Sequence, residues 1–283
     1  PNVDIVLAVG TRFLEPYMFW GTDTALKIIR IDVDPKQIVK PKVPDIGLVT
    51  SSKLGLEMLA NRITKYNRKR DSRENDLGQI RKKVEQKLSR LTIQKEYSDV
   101  LRASLPENGI LVPDVTQLMF YTWFGYPVYL PRTLLFPGYQ DSLGYGFATA
   151  MGVKVANPDV RVLCISGDGG FMLTMPELAT AVRHGINLVT VVFNDGAFGN
   201  VKRIQKERFD GNFLGSDLNN PDFVELAKLF GAVGLRAETP IKLQKALEVA
   251  FDADGPVIVE VPVSEMPGWQ QIMPRSHIRG SII

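Results

Sequence analysis

Two periods of apolar and polar residues alternate along this chain. Short β-branched or aliphatic runs, each of strand length, occur at residues 4–9 (DIVLAV), 27–33 (KIIRIDV), 109–112, 133–136, 160–166 (VRVLCIS), 187–193, 232–236 and 256–263. Between them, apolar positions at helical spacing predict helices at 52–63, from 113–117 onward, and at 147–156, 197–207, 221–230 and 240–251. Thr174 and Glu177 have the T-x-x-E spacing of a capping box ahead of Leu178, Ala181 and Val182, and His184-Gly185 has the composition of a helix end. A loop is expected at 211–220, a candidate lid. Strands alternating with helices predict an α/β fold whose neighbouring strands run parallel.

Residues 160–201 carry the chemistry. Gly167-Asp168-Gly169-Gly170 breaks one apolar strand and Asn194-Asp195-Gly196 breaks the next, with a helix between, which makes a βαβ unit. Neighbouring parallel strands end on one edge of the sheet, so Asp168 and the Asn194-Asp195 pair should stand side by side where open α/β sheets bind ligands. Glycines let backbone N–H groups approach an anion, and a helix starting near Thr174 adds dipole charge of the right sign. Two carboxylates repel an anion unless a cation lies between them. Oxygen-only ligands beside a diphosphate suit Mg²⁺.

Gly167-Asp168-Gly169, twenty-four residues, then Asn194-Asp195 resembles the cofactor motif of thiamine diphosphate enzymes, GDG followed by a similar gap and NN. The resemblance runs over nearly the whole chain and is nearest the acetolactate synthase-like, 2-oxoacid decarboxylase group. It implies a three-layer α/β/α parallel sheet preceded by part of a second, Rossmann-like α/β domain. The implied boundaries are 1–66 for the end of the middle domain, 67–100 for a basic linker and 101–283 for the cofactor domain. The metal ligands it implies are Asp168, Asp195 and the carbonyl of Ala197. Asp195 departs from the family, standing where Asn is usual and adding a negative charge beside the diphosphate.

Further positions follow from the same resemblance. Residues 113–117 match a D-V-G-Q type segment at the far end of the diphosphate, which puts Thr116 and Gln117 on the cofactor. Residues 137–146 match the turn beneath the aminopyrimidine ring, with Leu143 as the catalytic wedge that bends the cofactor and the carbonyl of Asp141 as acceptor for its amine. Gly167, Gly169 and Gly170 line the diphosphate, and Phe198, Gly199 and Asn200 begin the helix that lines the substrate pocket. Acetolactate synthases carry Met at the position of Asn200 and Trp at that of Ile204, and pyruvate decarboxylases carry Glu at that of Val201. None of these matches, so the 2-oxoacid stays open.

Residues 4–13 and 29–35 resemble the second half of the family's middle domain, which holds FAD in some relatives; here FAD and a purely structural domain both stay open, with FAD not supported by the residues themselves. A chain opening on Pro1 is expected to be a fragment, a processed product or a chain whose beginning is not included. The resemblance implies an N-terminal pyrimidine-binding domain, with the glutamate that activates the cofactor, supplied by a missing part or by another subunit of a homo-oligomer. The chain alone should then bind cofactor weakly and turn over little.

Composition narrows the classes. The 283 residues are 45% hydrophobic and 23% charged with a net charge of +3, an ordinary globular balance with no call for nucleic acid. Residues 62–95 hold twelve Lys/Arg against four Asp/Glu but lack interleaved aromatics, which fits a solvated linker. The single cysteine, Cys164, fits a reducing compartment, and no apolar run approaches ~20 residues, so a cytoplasmic protein without membrane span or secretory signal is expected. His184 and His277 have no partner in sequence for a catalytic role. The tail, with Pro267, Trp269, Pro274 and Arg279, could fold over the site. Two alternatives remain: a cofactor-binding module without activity, favoured by Asp195, and a nicotinamide-dependent oxidoreductase, disfavoured because residues 167–172 (GDGGFM) lack the third glycine of G-x-G-x-x-G.

Overall fold

The apolar runs become parallel strands in the computed structural model, which describes residues 3–13, 25–68, 71–138 and 140–272. Sequence readings at Pro1, Tyr139, Pro274, His277 and Arg279 lie outside the described residues. Two units form, one running to Gln79 and the other from Ile80 to Ile272, so the division falls inside a helix, Glu74–Leu88.

The first unit is a parallel sheet of β1 (Ile5–Val9), β2 (Lys27–Asp32) and β3 (Ile46–Val49), in that order. Helix α1 (Ser52–Ile63) follows, its N-terminus capped by the Ser51 hydroxyl, which accepts from the Leu54 N–H. The sequence pattern gave no sign of β3. Its four residues are all exposed and carry no apolar alternation; only pairing to β2 makes them a strand.

The second unit contains most of α2 (Glu74–Leu88), then α3 (Thr92–Ser104), β4 (Ile110–Pro113), α4 (Gln117–Gly125), α5 (Tyr145–Ala156), β5 (Val162–Gly167), α6 (Asp168–Thr174) and α7 (Leu178–Arg183). It continues with β6 (Val189–Asn194), α8 (Gly199–Arg208), α9 (Phe223–Leu229), β7 (Val233–Arg236), α10 (Pro240–Phe251) and β8 (Val257–Pro262). Its five strands are all parallel, in the order β4-β5-β6-β8-β7. Side chains of β5 go to opposite faces in turn. Leu163 and Ile165 join a core with Leu101 of α3 and Leu247 of α10, whereas Val162 and Cys164 join one with Phe147 of α5 and Phe171 of α6. This is the three-layer α/β/α arrangement. Each fully buried Leu or Ile contributes about 1.5–3 kcal/mol through burial, which is why the central strands read as continuous apolar runs.

Two local expectations are corrected. The helix after β5 begins at Asp168, not near Thr174, and ends at Thr174 because Pro176 has no N–H to continue the ladder. A 3-10 turn (Met175–Glu177) intervenes before α7, the Thr174 hydroxyl is left without a partner, and Glu177 accepts from Thr180 at 2.7 Å, so no capping box forms. Residues 133–136 are not a strand; Leu134 makes one isolated bridge to Leu111 at the edge of the sheet. Among the described residues, no helix is long and apolar enough to cross a membrane.

Candidate functional site

The carboxyl ends of β4, β5, β6 and β8 face one cleft in the second unit. Pairing of Gly167 with Phe193 brings the residues that follow them, Asp168 and Asn194, to the same edge. Asp168 is 2% exposed. Its Oδ1 accepts from the Gly169 N–H at 2.9 Å, and its Oδ2 accepts from the Gly196 N–H at 3.0 Å and from Asn220 Nδ2 at 2.6 Å. Burial pushes its carboxyl up, and these hydrogen bonds, Asn220 first, oppose the rise.

Asp195 is exposed on its outer side and turns toward the cleft, its Oδ1 accepting from the Ala197 N–H at 3.3 Å. Desolvation by the surrounding walls, and then the negative charge of Asp168, push its carboxyl up to about 6. Gly196 turns the chain at φ +69°. Ala197 next to it pairs in an isolated antiparallel bridge with Asp217, made by Phe198 N–H to the Ser216 carbonyl and Leu218 N–H to the Gly196 carbonyl, both 2.8 Å. These rungs flank Ala197, so the bridge does not use its carbonyl. The 211–220 loop is thus fastened at its second half, not free as a lid.

The cleft, about 180 Å³ in volume, is lined by Thr116, Gln117, Leu143, Gly167, Asp168, Gly169, Gly170, Asp195, Ala197, Phe198, Gly199 and Asn200. The fold therefore brings together residues from four separate stretches of sequence. Asp141 is the exception: it does not line the cleft, and it holds a left-handed φ of +47° on the approach to Leu143. Leu143 stands 41% exposed at the cleft. The Thr116 hydroxyl caps α4 by accepting from the Met119 N–H at 3.0 Å, which fixes the adjacent Gln117. Gln117 bridges two walls, its Nε2 donating to Asn200 Oδ1 at 3.3 Å and its Oε1 accepting from the Trp269 N–H at 3.1 Å. The Trp269 ring stacks on Phe120 with centroids 5.0 Å apart, so this part of the tail does lie at the site. Gly169 has no room for a side chain, since a Cβ there would stand 2.5 Å from the Phe198 ring.

Several residues at the site escaped the sequence reading. Asp114 is wholly buried and accepts from the Val115 N–H at 2.7 Å, the Gly144 N–H at 3.1 Å and the Ser166 hydroxyl at 3.2 Å, tying the turn after Leu143 to β5. Burial pushes its carboxyl up. Its place inside a recognised motif was the one available signal. Asn220, Val263 and Met266 reach the site from far along the chain, and no local pattern marks them.

No group of three His, Cys, Asp or Glu side chains suited to a metal occurs among the described residues, so a cation at this edge would rest on the Asp168–Asp195 pair and main-chain oxygen. The described lining of the cleft also contains no Lys or Arg.

Residues 114–261 match the family described as thiamine pyrophosphate enzyme, C-terminal TPP binding domain. The chain is 29% identical to a probable acetolactate synthase large subunit of Methanococcus aeolicus, over 99% of this chain and 50% of that protein. It is 30% identical to an acetolactate synthase of Arthrospira platensis, over 93% of this chain and 47% of that one. It therefore spans about half the length of these relatives. In fold it is similar to the thiamine diphosphate-dependent 4-hydroxybenzoylformate decarboxylase of Rhodococcus jostii RHA1, with a TM-score of 0.74 and 22% identity over 92% of this chain and 49% of that one. With its glycine-lined cleft at the carboxyl edge of a parallel sheet, the chain belongs to the thiamine pyrophosphate enzyme family, and residues 114–261 are its C-terminal cofactor-binding domain.

Proposed function

We propose that this chain is the cation- and diphosphate-binding portion of a thiamine diphosphate-dependent lyase or carboligase acting on a 2-oxoacid. One observation carries the reading: two carboxylates face a cleft whose described lining offers no cationic side chain. A metal ion between the carboxylates would let a diphosphate bind there, and an all-oxygen set beside phosphate suits Mg²⁺. Asp168, Asp195 and the Ala197 carbonyl would hold it. Thr116 and Gln117 would meet the far end of the diphosphate, and Gly167, Gly169 and Gly170 would let the backbone come close.

When bound, thiamine diphosphate supplies a thiazolium carbon able to add to the carbonyl of a 2-oxoacid and to take up the electrons released as carbon dioxide leaves. Leu143 would form the wall beneath a bound cofactor, and the Asp141 carbonyl, on the approach to that wall, would accept from the cofactor's amine. Phe120, Phe193, Val263 and Met266 make an apolar wall that would limit water around a bound cofactor. Asn200 and Val201, at the start of α8, set the substrate side. The pyrimidine side belongs to a domain elsewhere in the protein or in another subunit of a homo-oligomer, and a cytoplasmic setting suits a small soluble substrate.

Calorimetric titration of thiamine diphosphate, with and without Mg²⁺, into the chain and into Asp168→Ala tests the reading. Binding that needs Mg²⁺ and disappears in the variant is expected. Binding of equal strength without Mg²⁺, or retained in Asp168→Ala, defeats it.

A further inference from the structure

A chain of hydrogen bonds runs behind Asp168, and its two ends dictate its direction. Glu260, on β8 and 4% exposed, accepts Nε and Nη2 of Arg236 on Oε2 at 3.0 and 2.8 Å, and Asn194 Nδ2 on Oε1 at 2.8 Å. An ionised carboxylate only accepts, so Asn194 must turn its amide nitrogen to Glu260 and its oxygen the other way. That oxygen accepts from the Gly196 N–H at 3.2 Å and from Asn220 Nδ2 at 3.0 Å. Asn220 must then present its nitrogen, and the same nitrogen reaches Asp168 Oδ2 at 2.6 Å. Acceptor-only groups close both ends, and neither amide can flip alone: a turned Asn194 sets its nitrogen against the Gly196 N–H and its oxygen against Glu260, and a turned Asn220 sets its oxygen against the oxygens of Asp168 and Asn194.

The chain also decides what Asp168 has left to offer. A carboxylate has roughly four lone-pair positions. Gly196 and Asn220 occupy Oδ2, and Gly169 takes one position on Oδ1. These three hydrogen bonds leave one position, on Oδ1, and the Ala197 N–H acts on the carboxylate as well. The main chain just before Asn220 meanwhile grips the other side of the same turn, through the rungs on either side of Ala197. One short segment, 216–220, therefore fixes both the Asp168 carboxylate and the turn that carries Ala197.

We infer that Asn220, oriented by Asn194 and Glu260, is a positioning residue of the cation site: it saturates Asp168 Oδ2 and leaves Oδ1 as the oxygen Asp168 presents to a divalent cation. The inference rests on the reading of Asp168 as a cation ligand and goes beyond it, by assigning a role to the first residue of the Asn194-Asp195 pair and to a loop residue 52 positions from Asp168. It makes the site an assembly of β5, β6, β8 and the 216–220 segment, so that folding of the segment and cation binding support each other.

The test is the Mg²⁺ concentration giving half-maximal binding of thiamine diphosphate, read by calorimetry on the full chain beside each variant's melting temperature. Asn220→Ala should raise that concentration about tenfold, the usual scale for losing the group that orients a metal ligand. Glu260→Gln keeps the shape and leaves no cavity, but its amide must set a donor against either Arg236 or Asn194. It should move the midpoint the same way, about threefold. Leu247→Ala, a truncation in the α10 core, should lower the melting temperature and leave the midpoint within twofold. Wild-type midpoints in both Asn220→Ala and Glu260→Gln overturn the inference while the cofactor reading stands. A midpoint moved as far by Leu247→Ala as by Asn220→Ala overturns it too, because the effect would then be general stability. A wild-type chain whose binding does not depend on Mg²⁺ overturns the reading and the inference together.

Discussion

Replacing Asp195 by Asn removes one of the two carboxylates at the cleft, and the structure fixes both the sign and the scale of the effect. The Asp195 carboxyl stands at about 6 against a usual 3.8, through desolvation and then repulsion from Asp168. A carboxyl raised on folding binds its proton more tightly in the folded state. Its contribution is therefore fully present below pH 3.8 and is lost as pH rises through about 6. The full interval corresponds to at most ~3 kcal/mol, and because the outer side of Asp195 is in water, screening reduces this to about 1 kcal/mol. Asn keeps an oxygen for the Ala197 N–H, so that hydrogen bond is preserved. Without metal, Asp195→Asn should match the parent near pH 4 and melt about 2–4 °C higher at pH 7.5, the shift expected of ~1 kcal/mol in a unit of this size. Mg²⁺ should narrow the gap at pH 7.5, since a cation relieves the repulsion in the parent alone. Thermal melts at a series of pH values, with and without Mg²⁺, read this directly. A gap that is constant with pH, or an Asn variant less stable than the parent at pH 7.5, would refute the charge argument.

Leu143→Ala and Asp114→Ala should separate binding from stability. Leu143 is 41% exposed, so its truncation should change stability by no more than ~0.5 kcal/mol. It should nevertheless weaken Mg-dependent thiamine diphosphate binding by about tenfold, through the lost apolar contact. Unchanged affinity by calorimetry would remove Leu143 from the cofactor wall. Asp114→Ala strips the Val115 and Gly144 N–H groups of their acceptor, while the Ser166 hydroxyl keeps the Gly167 carbonyl at 3.1 Å. Urea unfolding should show a loss of about 1–3 kcal/mol for each buried group left unpaired, and a variant as stable as the parent would contradict the buried tie.

The parts of the molecule legible in sequence are those where one local pattern meets one local consequence. Strands β5 and β6 are buried on both faces, so their apolar runs are continuous and their ends are marked by Gly-Asp-Gly and Asn-Asp-Gly. A βαβ unit then carries Asp168 and Asn194 to one edge with little freedom. Strand β3 offers nothing comparable: it is short and exposed, and its existence depends on β2. Thr174 and Glu177 have the letters of a capping box, but a helix that had already started at Asp168, together with Pro176, decided the local structure. A pattern four residues long cannot report a helix that begins before it.

The site divides in the same way, and the division has a physical cause. Residues that would touch a ligand sit at strand ends and helix starts, where turn chemistry demands Gly, Asp, Asn and Thr and so leaves a trace in sequence. Residues that hold those groups in place come from wherever the fold happens to pass. Asn220 reaches Asp168 across 52 positions and Glu260 reaches Asn194 across 66, from a loop exit and from the middle of an otherwise apolar strand. Glu260 was the more visible of the two, because a carboxylate inside the run VIVEVP is costly to bury unless it is paired. Its partners, Arg236 on the neighbouring strand and Asn194 on the other side, exist only once β8 lies between β6 and β7. The strand order that makes the sheet is therefore also what directs the Asn194 amide, and through it the Asn220 nitrogen that bonds Asp168 Oδ2.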